Sequence, residues 1–159
     1  MSKRVEFRPL LEALATADVR CVVIGAVAMV LHGADYTTYD VDVCYERSPE
    51  NVKRLCVTLS PHSEHVRSAI TDVESALVSN RSSVPIATDF GELDLLGEVT
   101  GLGEYAQVIE FASPLRLNGR SIMVLTVSGL IKAKEALNRL KDQQHLVVLR
   151  ALQTMNGAI

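Results

Sequence analysis

The sequence is short of the features that announce many protein classes. It has three cysteines, Cys21, Cys44 and Cys56, an odd number without CxxC spacing, which argues against both a disulfide framework and a zinc knuckle. They read as reduced, mostly buried thiols. The longest uncharged stretch runs only from Cys21 to Ala34, short of the roughly 18 residues that a membrane span needs, so no membrane association is expected. The N-terminal MSKRVEFRPL is charged and lacks a following apolar core and small-residue cleavage site, so the expected location is cytoplasmic. Sixteen Lys and Arg against nineteen Asp and Glu give a formal charge of −3, which is not the basic footprint of a dedicated nucleic-acid binder. Walker loop, GxGxxG and HExxH are all missing, leaving kinase, dinucleotide-binding and zinc-protease chemistry without support. No internal repeat, low-complexity tract or linker divides the chain.

What is present is a 159-residue chain, 48% hydrophobic and 22% charged, a globular composition long enough to bury about two-thirds of its surface. Residues 1–159 read as one domain. Helical spacing of Leu10, Leu11, Leu14 and Ala17 predicts a first helix over Pro9–Asp18. A β-branched strand, Cys21–Ile24, ends at Gly25 and leads into a short buried helix, Ala26–Leu31. Tyr39–Tyr45 alternates, with Val41, Val43 and Tyr45 on one face and Asp40, Asp42 and Cys44 on the other. Ser48-Pro49-Glu50 opens a helix that Pro61 ends, and a further helix is expected from about 64 to 78. Pro85–Thr88 and Glu92–Leu96 read as a strand pair, and Val108–Phe111 and Leu115–Leu125 as further strands, the last turning at Asn118-Gly119. Helices Val127–Leu137 and Lys141–Met155 close the chain. This alternation predicts an α/β or α+β fold with a mixed sheet flanked by helices.

The chemistry concentrates at Gly25-Ala26 and Asp40-Val-Asp42. Carboxylates two residues apart on a strand point the same way and together suit a hard cation, although an acidic face on a solvent-facing edge strand has the same pattern. A glycine between an apolar strand and a helix lets the backbone approach a phosphate. The thiol of Cys44 shares the acidic face, where its thiolate is disfavoured, so it reads as structural. His62 and His65 lack a second pair of metal ligands, and His145 is expected on the surface.

Val23-Ile-Gly25-Ala26, the spacing to Asp40-Val-Asp42, His32-Gly33, Thr38, Gly91-Glu-Leu-Asp94-Leu-Leu, and the terminal Leu130-Ile131, Lys134, Arg139 and Lys141-Asp142 together resemble the minimal nucleotidyltransferases of the DNA polymerase beta superfamily. This is the type found in toxin–antitoxin and abortive-infection pairs. The resemblance implies the nucleotidyltransferase fold and transfer of a nucleoside monophosphate from a nucleoside triphosphate to a hydroxyl on a protein or transfer RNA. It implies two magnesium ions, with manganese as a substitute, held by Asp40, Asp42 and Asp94, with Asp94 assisting deprotonation of the acceptor. Glu92, on the same strand face, is the less fitting third acid. Gly25, Ala26, Tyr36 and Thr38 fall in the nucleotide-binding part of the pattern, and Lys134, Arg139 and Lys141 would neutralise the triphosphate or else form a solvated helix face. Two positions depart from the pattern: Ala26 replaces Gly or Ser and removes a hydroxyl, and Tyr36 stands where relatives commonly carry Arg. These departures favour a second expectation, a catalytically weak antitoxin-like or regulatory binding protein, which could itself form oligomers. A two-metal nuclease could also use three acids but has no need of the glycine turn.

Overall fold

The computed structural model describes residues 6–156. Its centre is a six-stranded mixed sheet built from β1 (Cys21–Ile24), β2 (Asp40–Tyr45), β3 (Ser83–Thr88), β4 (Gly91–Leu96), β7 (Ala112–Leu117) and β8 (Arg120–Leu125), in the order β3-β4-β2-β1-β8-β7. β1 runs antiparallel to β2 and parallel to β8, while β2 and β4 are parallel. β1 is buried along its whole length, whereas β2 and β4 alternate: Val41, Val43, Leu93 and Leu95 are fully buried on one face while the other face carries acidic residues. A small hairpin of β5 (Glu98–Val99) and β6 (Gly103–Glu104) stands apart from this sheet.

Local chemistry sets the helix boundaries. α1 (Phe7–Thr16) buries Leu10, Leu11 and Leu14, and α2 (Gly25–Leu31) buries Val27, Ala28 and Met29. α3 (Pro49–Leu59) starts with Pro49 in its first turn and with the Ser48 hydroxyl accepting the Asn51 N–H at 3.3 Å. The helix expected over 64 to 78 is two helices, α4 (Glu64–Ser68) and α5 (Ile70–Ser79), because Ala69 leaves helical geometry at φ −136°. Tyr45 locks α5 to the sheet: its buried hydroxyl donates to the Leu77 carbonyl at 2.6 Å and accepts from Asn80, which also donates to the Leu95 carbonyl.

Val108–Phe111, expected as a strand, is instead the end of α6 (Tyr105–Val108) and a following 3-10 turn. The Glu104 N–H donates to the Gln107 side chain at 2.9 Å, and this cap starts a helix just ahead of a short apolar run that periodicity cannot assign. The Asn118-Gly119 hairpin forms as expected, with φ of 50° and 79°, the paired positive values of a tight two-residue turn. α7 (Val127–Leu137) is capped by Thr126 accepting from the Gly129 N–H and ends at left-handed Asn138. α8 (Leu140–Asn156) then packs back against α7. Its buried stripe is Asp142, His145, Leu146, Leu149 and Leu152, so His145 is inside the protein where the sequence reading expected it on the surface.

Candidate active site

Alternation along β2 puts Val41 and Val43 into the core and turns Asp40 and Asp42 the other way. β4 lies beside it in a register that sets Asp94 opposite Asp42 and Glu92 opposite Asp40. One carboxylate oxygen from each of Asp40, Asp42 and Asp94 falls within 4.8 Å of the others. Among the described residues no other group of three acids, histidines or cysteines comes together in this way. Glu92 is exposed and outside the cluster, and the buried thiol of Cys44 does not join it.

On the other side of β2, Ile24 pairs with Asp42, which brings the first residue of α2 against the cluster. Gly25 has a φ of 68°, and a side chain there would collide with the Asp42 carboxylate. The space a Cβ would fill is taken by Asp42, a closer constraint than the phosphate approach expected from sequence.

Three carboxylates so close repel one another, and burial adds to the cost of their charge. Burial first, then the charge of Asp40, pushes the Asp42 pKa up to about 6. Burial, hydrogen bonding with Asp40 and the charges of Asp42, Asp40 and Glu92 push that of Asp94 up to about 7. Lys134 and Lys141 act on Asp42 in the opposite direction, which places their positive field across from the acids.

The residues that the sequence resemblance assigned to metal and nucleotide meet in one cleft of about 1070 Å³, which Cys44, His62 and His65 do not line. Gly25, Ala26, Tyr36 and Thr38 line it beside the three acids, and Lys134, Arg139 and Lys141 line it from the helical side. Their roles differ. The Thr38 hydroxyl is spent on the Asp40 carbonyl at 2.9 Å and fixes the entrance to β2. Arg139 gives its Nε and Nη2 to Asp142, at 2.6 and 3.1 Å, so its guanidinium is bound within the protein. Asp142 is fully buried, also accepts the Arg139 backbone N–H, and lies 3.3 Å from Lys134 Nζ. These partners hold its carboxyl well below the usual range. Lys134 is itself buried, and the loss of water around it lowers its pKa. Lys141 is exposed on the first turn of α8. Tyr36 bridges the segment before β2 to α8, its hydroxyl 3.1 Å from His145 Nε2 and its ring edge-on to the imidazole.

Sequence reasoning gave no function to Asp142 or His145. Both lie on the stripe with Leu146, Leu149 and Leu152, and that helical spacing was the signal available for their burial.

No family model matches the chain, and no curated protein matches it. Solved structures do. A Thermotoga maritima protein assigned as a nucleotidyltransferase superposes with a TM-score of 0.58 at 15% identity, over 88% of this chain and 87% of that one. The lincosamide antibiotic adenylyltransferase LnuA, in its lincomycin-bound crystal structure, superposes with a TM-score of 0.54 at 14% identity, over 94% of this chain and 99% of that one. The chain has the nucleotidyltransferase fold, a mixed sheet flanked by helices.

Proposed function

We propose that this protein is a metal-dependent nucleotidyltransferase that moves a nucleoside monophosphate from a nucleoside triphosphate to a hydroxyl on a protein or RNA acceptor. The observation that carries this reading is the convergence of Asp40, Asp42 and Asp94 in a cleft that Lys134 and Lys141 also line. Three mutually repelling oxygen donors are the donor set that a hard divalent cation fits, so Asp40, Asp42 and Asp94 would hold magnesium or manganese. Such ions, when bound, offset the carboxylate charge and polarise phosphoryl oxygens.

The protein's own groups supply the remainder. Lys141 and the unshared N–H donors of Lys134 face the phosphates and neutralise charge that grows on the departing pyrophosphate. Asp94 accepts the proton of the attacking hydroxyl as the new oxygen–phosphorus bond forms and the bond to pyrophosphate breaks. Tyr36 and the backbone at Gly25 and Ala26 bound the space left for the nucleotide.

A second reading, a partner-binding module of the toxin–antitoxin kind, is favoured by one observation: Arg139 is committed to Asp142, which leaves fewer cations for the triphosphate. Calorimetry with each nucleoside triphosphate, in magnesium and in chelator, followed by label transfer from the α-phosphate to transfer RNA or to the adjacent gene's product, separates the two. Magnesium-dependent binding that Asp42→Asn abolishes is the expected result. Equal binding in chelator overturns the transferase reading, and tight capture of the adjacent gene's product without any label transfer establishes the second.

A further inference from the structure

We infer that Tyr36 is a phosphate-binding hydroxyl donor of the cleft and that His145, behind it, is the positioning residue that frees the hydroxyl proton for this use. The inference rests on the nucleotide-binding reading above, and it starts from an imbalance in the structure. His145 is only 7% exposed, yet its Nδ1 is buried without any hydrogen-bond partner, while Nε2 lies 3.1 Å from the Tyr36 hydroxyl. A neutral imidazole carries one donor and one acceptor, so the two nitrogens cannot be assigned independently.

If Tyr36 donated to Nε2, the proton of the ring would sit on Nδ1 as a buried donor with nothing to receive it. The ring lies in the field of Lys134, Lys141 and Arg139, opposed by Asp142, and an orphaned N–H in a region of positive potential is the worse of the two tautomers. The same cations and the burial of the ring disfavour the imidazolium, which would leave that N–H orphaned as well. The remaining arrangement has the proton on Nε2, donating to Tyr36 Oη, and a bare lone pair on Nδ1.

The consequence lies on the tyrosine. Its oxygen accepts from His145, so its own O–H is left to donate outward. Tyr36 is 44% exposed and lines the cleft. Lys134 and Lys141 line the same cleft, and both act on His145, the partner of the hydroxyl, so the oriented hydroxyl opens into a cleft whose helical part is cationic. The group that such a part receives is a phosphate oxygen of the nucleoside triphosphate, bound by a neutral donor next to two ammonium groups.

Two measurements on the full chain test this. Long-range nitrogen-15 NMR of the imidazole, without nucleotide, is expected to show the neutral tautomer protonated on Nε2, and a proton on Nδ1 overturns the inference whatever the protein binds. Calorimetry with magnesium and a non-hydrolysable triphosphate is expected to show about tenfold weaker binding for Tyr36→Phe and for His145→Leu, with the double variant no weaker than Tyr36→Phe alone. His145→Gln, whose amide N–H can reach the hydroxyl, should recover most of the loss. Wild-type affinity in Tyr36→Phe, or additive losses in the double variant, overturns the proposal. Thermal melts identify a His145 variant that fails to fold, and the half-exposed Tyr36→Phe then decides on its own. A chain with the expected tautomer that binds no triphosphate in any metal overturns the nucleotide reading, and the phosphate-donor role falls with it.

Discussion

Replacing Gly25 with alanine should damage the site far more than the fold, and the structure lets the two effects be separated. A non-glycine residue held at a φ near 68° costs about 1–2 kcal/mol. The new methyl would also occupy the position of the Asp42 carboxylate, with Asp42 Cγ at 3.1 Å and Cβ at 3.2 Å from it. Asp42 must swing aside, and an off-rotamer side chain adds roughly 0.5–1.5 kcal/mol. The combined loss of about 1.5–3.5 kcal/mol is within what a domain of ordinary stability survives. The carboxylate, however, leaves its place among Asp40 and Asp94, and a displacement of about 1 Å at a reacting centre can cost about a hundredfold.

Gly119→Ala is the matched control. Gly119 has a φ of 79° but open space where its Cβ would go, and it does not line the cleft. Urea unfolding should show about 1–2 kcal/mol lost in Gly119→Ala and somewhat more in Gly25→Ala. Magnesium-dependent triphosphate binding, measured per folded molecule, should be unchanged in the first and weakened in the second, about tenfold for each 1.4 kcal/mol of metal-ligand interaction lost with the Asp42 carboxylate. Equal binding by both variants would refute the claim that Gly25 exists to admit the Asp42 carboxylate.

Two further outcomes follow from the electrostatics. The folded-state pKa values of Asp42 and Asp94, about 6 and 7, lie above the ordinary 3.8, so between pH 4 and 7 the folded, metal-free protein binds more protons than the unfolded chain. Their contribution to stability is therefore greatest below about pH 4 and declines as the pH rises to about 7. Thermal melts in chelator should show Asp94→Asn more stable than wild type at pH 8, with the difference shrinking towards pH 4; a constant difference would count against the repulsion. Asp142 has the opposite sign, since its partners hold it below 3.8, and its contribution is lost as the pH falls. Asp142→Ala leaves buried Lys134 unpaired and should cost about 3–5 kcal/mol in urea unfolding at pH 7, whereas a loss below about 1 kcal/mol would show the pair to be solvated.

The parts legible in the sequence are those where one local rule acts alone. The alternation of Asp40–Tyr45, the glycine ending β1, the Ser48 cap and the Asn118-Gly119 turn each have one physical solution, and each is found. The parts that were not legible depend on competition or on distant partners. Val108–Phe111 is too short for its periodicity to choose between strand and helix, and the cap at Glu104 decides it. The break at Ala69 carries no proline or glycine to mark it. At the site, the acids were visible as a pattern, but their meeting depends on the parallel register of β2 with β4, which no spacing encodes. The commitment of Arg139 to Asp142 and the partnership of Tyr36 with His145 join side chains whose distances only the folded chain sets.

The strand order keeps β2, which carries Asp40 and Asp42, in the interior of the sheet and leaves β3 and β7 at its two margins. Each marginal strand has a proline within it, Pro85 in one and Pro114 in the other. Proline has no N–H to offer, so a strand from another chain laid along either margin meets a break in the donors partway along. Growth of the sheet from molecule to molecule is thereby discouraged on both sides. Contacts with another molecule are left to side chains such as those around the cleft, and these can change without moving the strands that hold the acids.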